Sequence, residues 1–190
     1  MELLNRKAIK RFEAAQSEAA LASFDELTVI KTVKTLYKRL ASDNRKMFLD
    51  LAQAVYDETD PHGDDEPDEA WLLAFLEEYN PVTRYVYQHE IDRKRDYTAE
   101  GVNSSKDKAK EFRRGLMYWS RMVEQYTLDV SDAATLKAFK DAGVEEVVWH
   151  TAEDGGVCDS CAPRNGKVYP IDKVPKKTHW HCRCWLTAKT

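Results

Sequence analysis

Apolar residues recur at steps of three and four over most of the first 140 positions, then give way to short extended runs. Residues 1–21 are rich in Ala, Glu and Lys with sparse apolar positions at Leu3, Leu4, Ile9 and Phe12. They predict a helix or arm that needs a partner to bury its stripe. Leu27, Ile30, Val33, Leu36, Tyr37 and Leu40 predict a helix over 24–41. Ser42 or Asp43 then caps a second one, with Met47, Phe48, Leu51 and Val55 on its face. Pro67 to Tyr79 predicts a further helix around Trp71, Leu72, Phe75 and Leu76. Asn80-Pro81 closes it and opens another over 81–96, with Val82, Tyr85, Val86, His89 and Arg93 on one side. Gly101 and Asn103 mark a break. Ser104 or Ser105 caps a long helix to about Tyr126, with Phe112, Leu116, Trp119, Met122, Val123 and Tyr126 as its stripe. Ser131 caps a last helix through Ala142, which Gly143 can end by turning left-handed.

Beyond Gly143 the period shortens. Val144–Thr151 reads as a strand, Asn165-Gly166 as a turn before the β-prone Lys167-Val168-Tyr169, and Trp185-Leu186 as a closing extended segment. The interior predicted for this small sheet is Val147, Trp149, Val168, Tyr169, Trp185 and Leu186.

The candidate chemistry lies in the same region. All four cysteines fall there, as Cys158-x-x-Cys161 and, after 17 intervening residues, His179-x-x-Cys182-x-Cys184. A short Cys-x-x-Cys turn aims two sulfurs at one point, and structural zinc takes four such ligands tetrahedrally. In an extended Cys-Arg-Cys segment both sulfurs share a face. Cys158 and Cys161 are therefore ligands, joined by two of His179, Cys182 and Cys184, with His181 a weaker candidate. Disulfides compete for the same cysteines. The opening MELLNRKAIKRFEAAQ carries no apolar core of a secretory signal, and in a reducing compartment paired cysteines more often hold metal. The expected cofactor is one structural Zn2+.

Residues 142 to 184 also carry a family resemblance. Ala142-Gly143, Val148-Trp149-x-Thr151-Ala152-x-Asp154, Val157-Cys158-x-x-Cys161, Asn165-Gly166-Lys167-Val168 and His179-x-x-Cys182-Arg183-Cys184 together resemble the C-terminal signature of the Mu F-like minor head proteins of tailed phages. The resemblance covers about residues 125 to 187, and the order and spacing of its parts are far more specific than one Cys-x-x-Cys. This chain has Trp180 where the family usually has proline, and it is short for the family. The resemblance implies a head-assembly component near the portal or neck of the virion. Its implied partners are portal or major capsid protein, together with self-association in several copies.

Composition narrows the alternatives. A third of the residues are charged, while five Trp, nine Tyr and six Phe supply a modest core. No apolar run approaches the roughly 18 residues of a membrane span. Eight acids crowd Asp57–Glu69, without the alternating ligands and twelfth-position Glu of a calcium loop. They read as a solvated loop entering a helix. The cations of Lys106–Arg114 interleave with Asp107 and Glu111, which favours a solvated face over a DNA contact. Residues 1–149 carry 22 basic and 29 acidic groups, against 7 and 4 in residues 150–190. A basic end with Trp180 and Trp185 allows nucleic-acid contact without favouring it. His89 stands without a partner, and His150 with Glu153 and Asp154 is better explained by a strand end than by catalysis. A zinc-supported nuclease needs a helix after its central histidine, and too few residues follow Cys184 for one.

The sequence therefore predicts an α+β protein with a mainly α-helical N-terminal body and a small zinc-stapled β-containing C-terminal module. Its domains are 1–103, helical, and 104–190, head-morphogenesis-like, with the zinc module at 143–187. No catalytic residues are expected.

Overall fold

The computed structural model describes residues 26–60, 62–152 and 155–189, so the helix or arm expected over 1–21 lies outside the described residues. Four helices and two small antiparallel sheets make up the described chain. They are α1 (Glu26–Thr59), α2 (Glu69–Glu77), α3 (Tyr87–Ser104) and α4 (Lys108–Asp141), with strands β1 (Tyr79–Asn80), β2 (Tyr85–Val86), β3 (Glu146–His150), β4 (Val168–Pro170) and β5 (Trp185–Ala188). The fold is α+β, as expected. Two compact units share these elements, residues 26–47 with 76–124 and residues 48–75 with 125–189. Helices α1 and α4 each give their first part to one unit and their last part to the other.

Helix α1 is one helix where the sequence suggested two. Its buried stripe runs Val33, Tyr37, Leu40, Asn44, Phe48, Ala52 and Tyr56 without losing phase. Asn44 holds a stripe position as a polar residue, so the apolar pattern breaks while the burial does not. Ser42 and Asp43 lie on the exposed side of a continuous helix and cap nothing. Helix α4 runs the same way through Ser131. Its stripe of Phe112, Leu116, Trp119, Val123, Tyr126 and Val130 continues as the small Ala134 and Ala138.

In the first unit, the Tyr37 ring meets the Trp119 ring edge-on at 4.9 Å, and its hydroxyl lies 2.8 Å from the Thr98 hydroxyl. Burial raises the Tyr37 pKa well above that of a free phenol. Helices α3 and α4 approach closely at Gly115, where a methyl group would stand 2.5 Å from the Thr98 side chain. Asn80-Pro81 does end a helix, but the chain then forms the two-residue ladder of β1 and β2 in place of a new helix. The Asn80 side-chain oxygen accepts the Val82 and Thr83 amides at 2.9 and 3.1 Å. Helix α3 therefore starts at Tyr87 and buries Tyr87, Glu90, Ile91, Thr98, Ala99 and Val102, leaving His89 and Arg93 exposed. It passes through Gly101 and ends at Ser104. Asp107, not Ser104 or Ser105, caps α4 by accepting the Lys110 amide at 2.9 Å.

In the second unit, Asp68 accepts the Trp71 amide at 2.7 Å and opens α2, giving the acidic stretch a capping role at its end. Gly143, at φ +73°, ends α4 as expected. The Gly143 amide bonds to the Lys140 carbonyl and the Val144 amide to the Phe139 carbonyl, at 3.0 and 2.9 Å, which turns the chain into β3. The second sheet has the order β4-β3-β5, antiparallel throughout, with Val147 opposite Tyr169 and Ala188, and Trp149 opposite Leu186.

Register corrects the predicted sheet interior. Val147 and Trp149 are buried, and Tyr169 and Leu186 lie partly buried. Val168 and Trp185 face outward at 41% and 47% exposure. Neighbours along a strand point to opposite faces, so 168 with 169, or 185 with 186, cannot both turn inward.

Candidate metal centre

The first half-site is built by backbone. The Cys158 carbonyl accepts the amides of Cys161 and Ala162 at 3.0 and 2.9 Å, closing a turn that brings both thiols to one side. A short 3-10 turn, Ala162–Arg164, follows with Pro163 inside it, and the Arg164 guanidinium lies over the Trp149 ring at 5.1 Å. The Asn165 side chain accepts the Thr151 amide at 2.9 Å and ties the turn to the end of β3. Gly166, at φ +72°, then completes the turn into β4, as the Asn-Gly pair suggested.

The second half-site is the lead-in to β5. Alternation buries Cys182 and Cys184 and leaves His181, Arg183 and Trp185 outside, so the Cys-Arg-Cys segment does present both sulfurs to one face. Trp149, Cys161, Cys182 and Cys184 form one buried cluster, with Val157, Cys158, Tyr169, Val174 and Leu186 packed against it.

The two halves meet at Cys161. Cys158, Cys161 and His179 form one group of potential ligands, and Cys161, Cys182 and Cys184 form another, with the donor atoms of each group within 4.8 Å of one another. Either group can hold a metal ion. His179 Nε2 lies 3.1 Å from the Cys158 sulfur and 3.2 Å from the Cys161 sulfur, and the Cys161 and Cys182 sulfurs are 3.7 Å apart. Zn–S bonds of about 2.3 Å in a tetrahedron place sulfurs about 3.8 Å apart, close to that separation. His179 Nδ1 lies 3.0 Å from the Trp180 carbonyl, which can only accept. The proton therefore sits on Nδ1, leaving the Nε2 lone pair turned to the thiols. His181 joins neither group, and its side chain is exposed.

The thiols differ in acidity for clear reasons. The Ser160 hydroxyl, 3.0 Å away, is the main cause that brings Cys158 down to about 7. Burial pushes Cys161 up to about 11 and also raises Cys182 and Cys184.

Two contributors were not singled out in the sequence. Ser160 reads as an ordinary loop residue, and nothing marks it. Gln125 lies on the buried face of α4 beside Tyr126 and accepts the His181 amide at 2.9 Å. Its signal was a glutamine interrupting an apolar stripe. Among the described residues, the other polar candidates do not gather into a site. Lys108 donates to the Val102 and Asn103 carbonyls at the end of α3, and Arg114 pairs with Glu111. His150 hydrogen-bonds Thr187 and stacks on Trp185, while Glu153 and Asp154 lie outside the described residues.

A clasp of cysteines and one histidine, closed around a short three-stranded sheet, defines a small α+β module with a candidate metal centre. Residues 99–187 match the family described as phage Mu protein F like protein. The match takes in α4, β3, β4, all of β5 but Ala188, and all five candidate ligands. No curated protein and no solved structure matches the chain. Among the described residues, no helix is long and apolar enough to cross a membrane.

Proposed function

We propose that this protein is a minor component of a tailed-phage head, acting by protein contacts near the portal or neck, with residues 104–190 as its head-morphogenesis-like domain. The observation that carries the reading is the overlap of the Mu F-like match with the converging Cys/His group. One Zn2+ fixes the shape of the module at 143–187. Cys161, shared by both groups, is its hub; Cys158, His179 and Cys182 complete a tetrahedron, and Cys184 packs beside them. Such a closed set leaves no open position for water, so the metal serves structure rather than hydrolysis. The partners are portal or major capsid protein, with several copies of this chain in the virion.

The test pairs metal analysis with assembly. One zinc per chain, three thiolates in the cobalt spectrum, and co-purification with portal or capsid protein are expected. Cys161→Ser should abolish metal binding and co-purification together, while Cys184→Ser keeps both. A four-thiolate spectrum would replace His179 by Cys184. Metal-dependent cleavage of DNA, or salt-sensitive DNA binding without head-protein binding, would overturn the structural reading.

A further inference from the structure

The second half-site contains an energetic oddity. His181 adopts φ +54°, a left-handed conformation that is strained for a non-glycine residue. It lies between His179 and Cys182, so its backbone decides where both candidate ligands point. Such a conformation persists only when its surroundings hold it.

The hold comes from one face of α4. Gln125, at 0% exposure, accepts the His181 amide at 2.9 Å. Its own amide nitrogen donates to the Asp129 carboxylate at 2.9 Å, which fixes the orientation of the group. One further turn along, Asp132 pairs with Lys177 at 2.6 Å, and the Lys177 side chain is only 10% exposed. Residues 125, 129 and 132 share a helix face. They meet the chain at two points, 177 and 181, that bracket His179. Neither contact involves a ligand atom, so the clasp exists without metal.

We propose that Gln125 is a positioning residue for the metal centre, holding His181 left-handed so that the His179–Cys182 half-site is formed before the ion arrives. This rests on the metal-binding reading above. Pre-organisation of this kind lowers the ordering cost at the moment of binding, and supporting residues around metal sites commonly contribute about tenfold to a hundredfold in affinity.

The test uses the full chain and zinc alone. Gln125→Leu keeps the volume and removes the acceptor. It should weaken zinc binding in a chelator competition by about tenfold to a hundredfold, with the cobalt spectrum still reporting the wild-type ligands. In metal-free protein, the His181 amide should be protected from hydrogen exchange in the wild type and unprotected in Gln125→Leu. Glycine adopts positive φ without strain. His181→Gly alone should therefore bind zinc at least as well as wild type, and added to Gln125→Leu it should recover most of the lost affinity. General damage to α4 would not be repaired by a glycine 56 positions away. Wild-type affinity in Gln125→Leu, or a loss that His181→Gly leaves in place, would overturn the proposal. A wild type that binds no zinc would instead sink the metal-binding reading, and the exchange of the His181 amide would still report whether the clasp holds.

Discussion

Cys158 and Cys161 are three residues apart, yet they meet opposite environments. The Ser160 hydroxyl brings Cys158 to about 7, and burial drives Cys161 to about 11 and raises Cys182. The thiolate is the ligand, so zinc must displace whichever protons remain. Between pH 7.5 and 9 Cys158 is already ionised, while Cys161 and Cys182 are still thiols. With these three as the sulfur ligands, about two protons leave per zinc, and apparent affinity rises about a hundredfold per pH unit. Below about 7 the third proton returns and the loss of affinity on acidification steepens. Chelator competition across this range should give a slope near two. A slope of one or less would mean the buried thiols are not both ligands. At this scale the gathering of Cys158, Cys161, His179, Cys182 and Cys184 was legible, because candidate ligand chemistry depends on residue type and spacing. Ser160 and Gln125 were not, because each acts through a contact made only in the folded chain.

The helices show what pattern reading gets right and where it fails. It placed helical character correctly over α1, α2 and α4, and Gly143 as the end of α4, since a stripe and a left-handed glycine are local properties. It divided α1 and α4 because Ser42, Asp43 and Ser131 look like helix caps. Whether a serine caps a helix or rides on one is decided by what the next turn packs against, which lies elsewhere in the chain. The sheet interior failed for a related reason: parity within a strand is fixed only once pairing partners are known. Continuity of α1 is open to a direct check. If Ser42 capped a new helix, proline at 43 would occupy its first position and be tolerated. In one continuous helix it removes a backbone hydrogen bond and clashes with the preceding turn. Asp43→Pro should therefore cost about 3 kcal/mol or more in denaturant unfolding. A change within about 0.5 kcal/mol would mean the helix breaks there after all.

For the molecule as a whole, the question is what each unit uses as a core. The first buries Tyr37, Phe112, Leu116 and Trp119 with the apolar face of α3, enough large side chains to hold together by packing. The second-sheet module has strands of five, three and four residues, and three of the four residues in its buried cluster are cysteines. Sheets this short are marginal alone, and thiols supply little apolar area, so a bound ion's contribution of about 10 kcal/mol would decide whether the sheet holds together, while Lys177 and His181 keep their own contacts to α4. Removing zinc with a strong chelator should strip hydrogen-exchange protection from the amides of Val147 to His150 and expose the Trp149 indole. The amides of Ile91, Ala99 and Val102 in α3 should stay protected. Far-UV helicity should fall only slightly, because most of the helix lies outside the module. Protection lost everywhere would show that metal and helical body fold as one cooperative unit. Protection kept throughout would show that Trp149 and its sulfurs pack unaided, and the role of the metal would then have to be sought in partner binding instead.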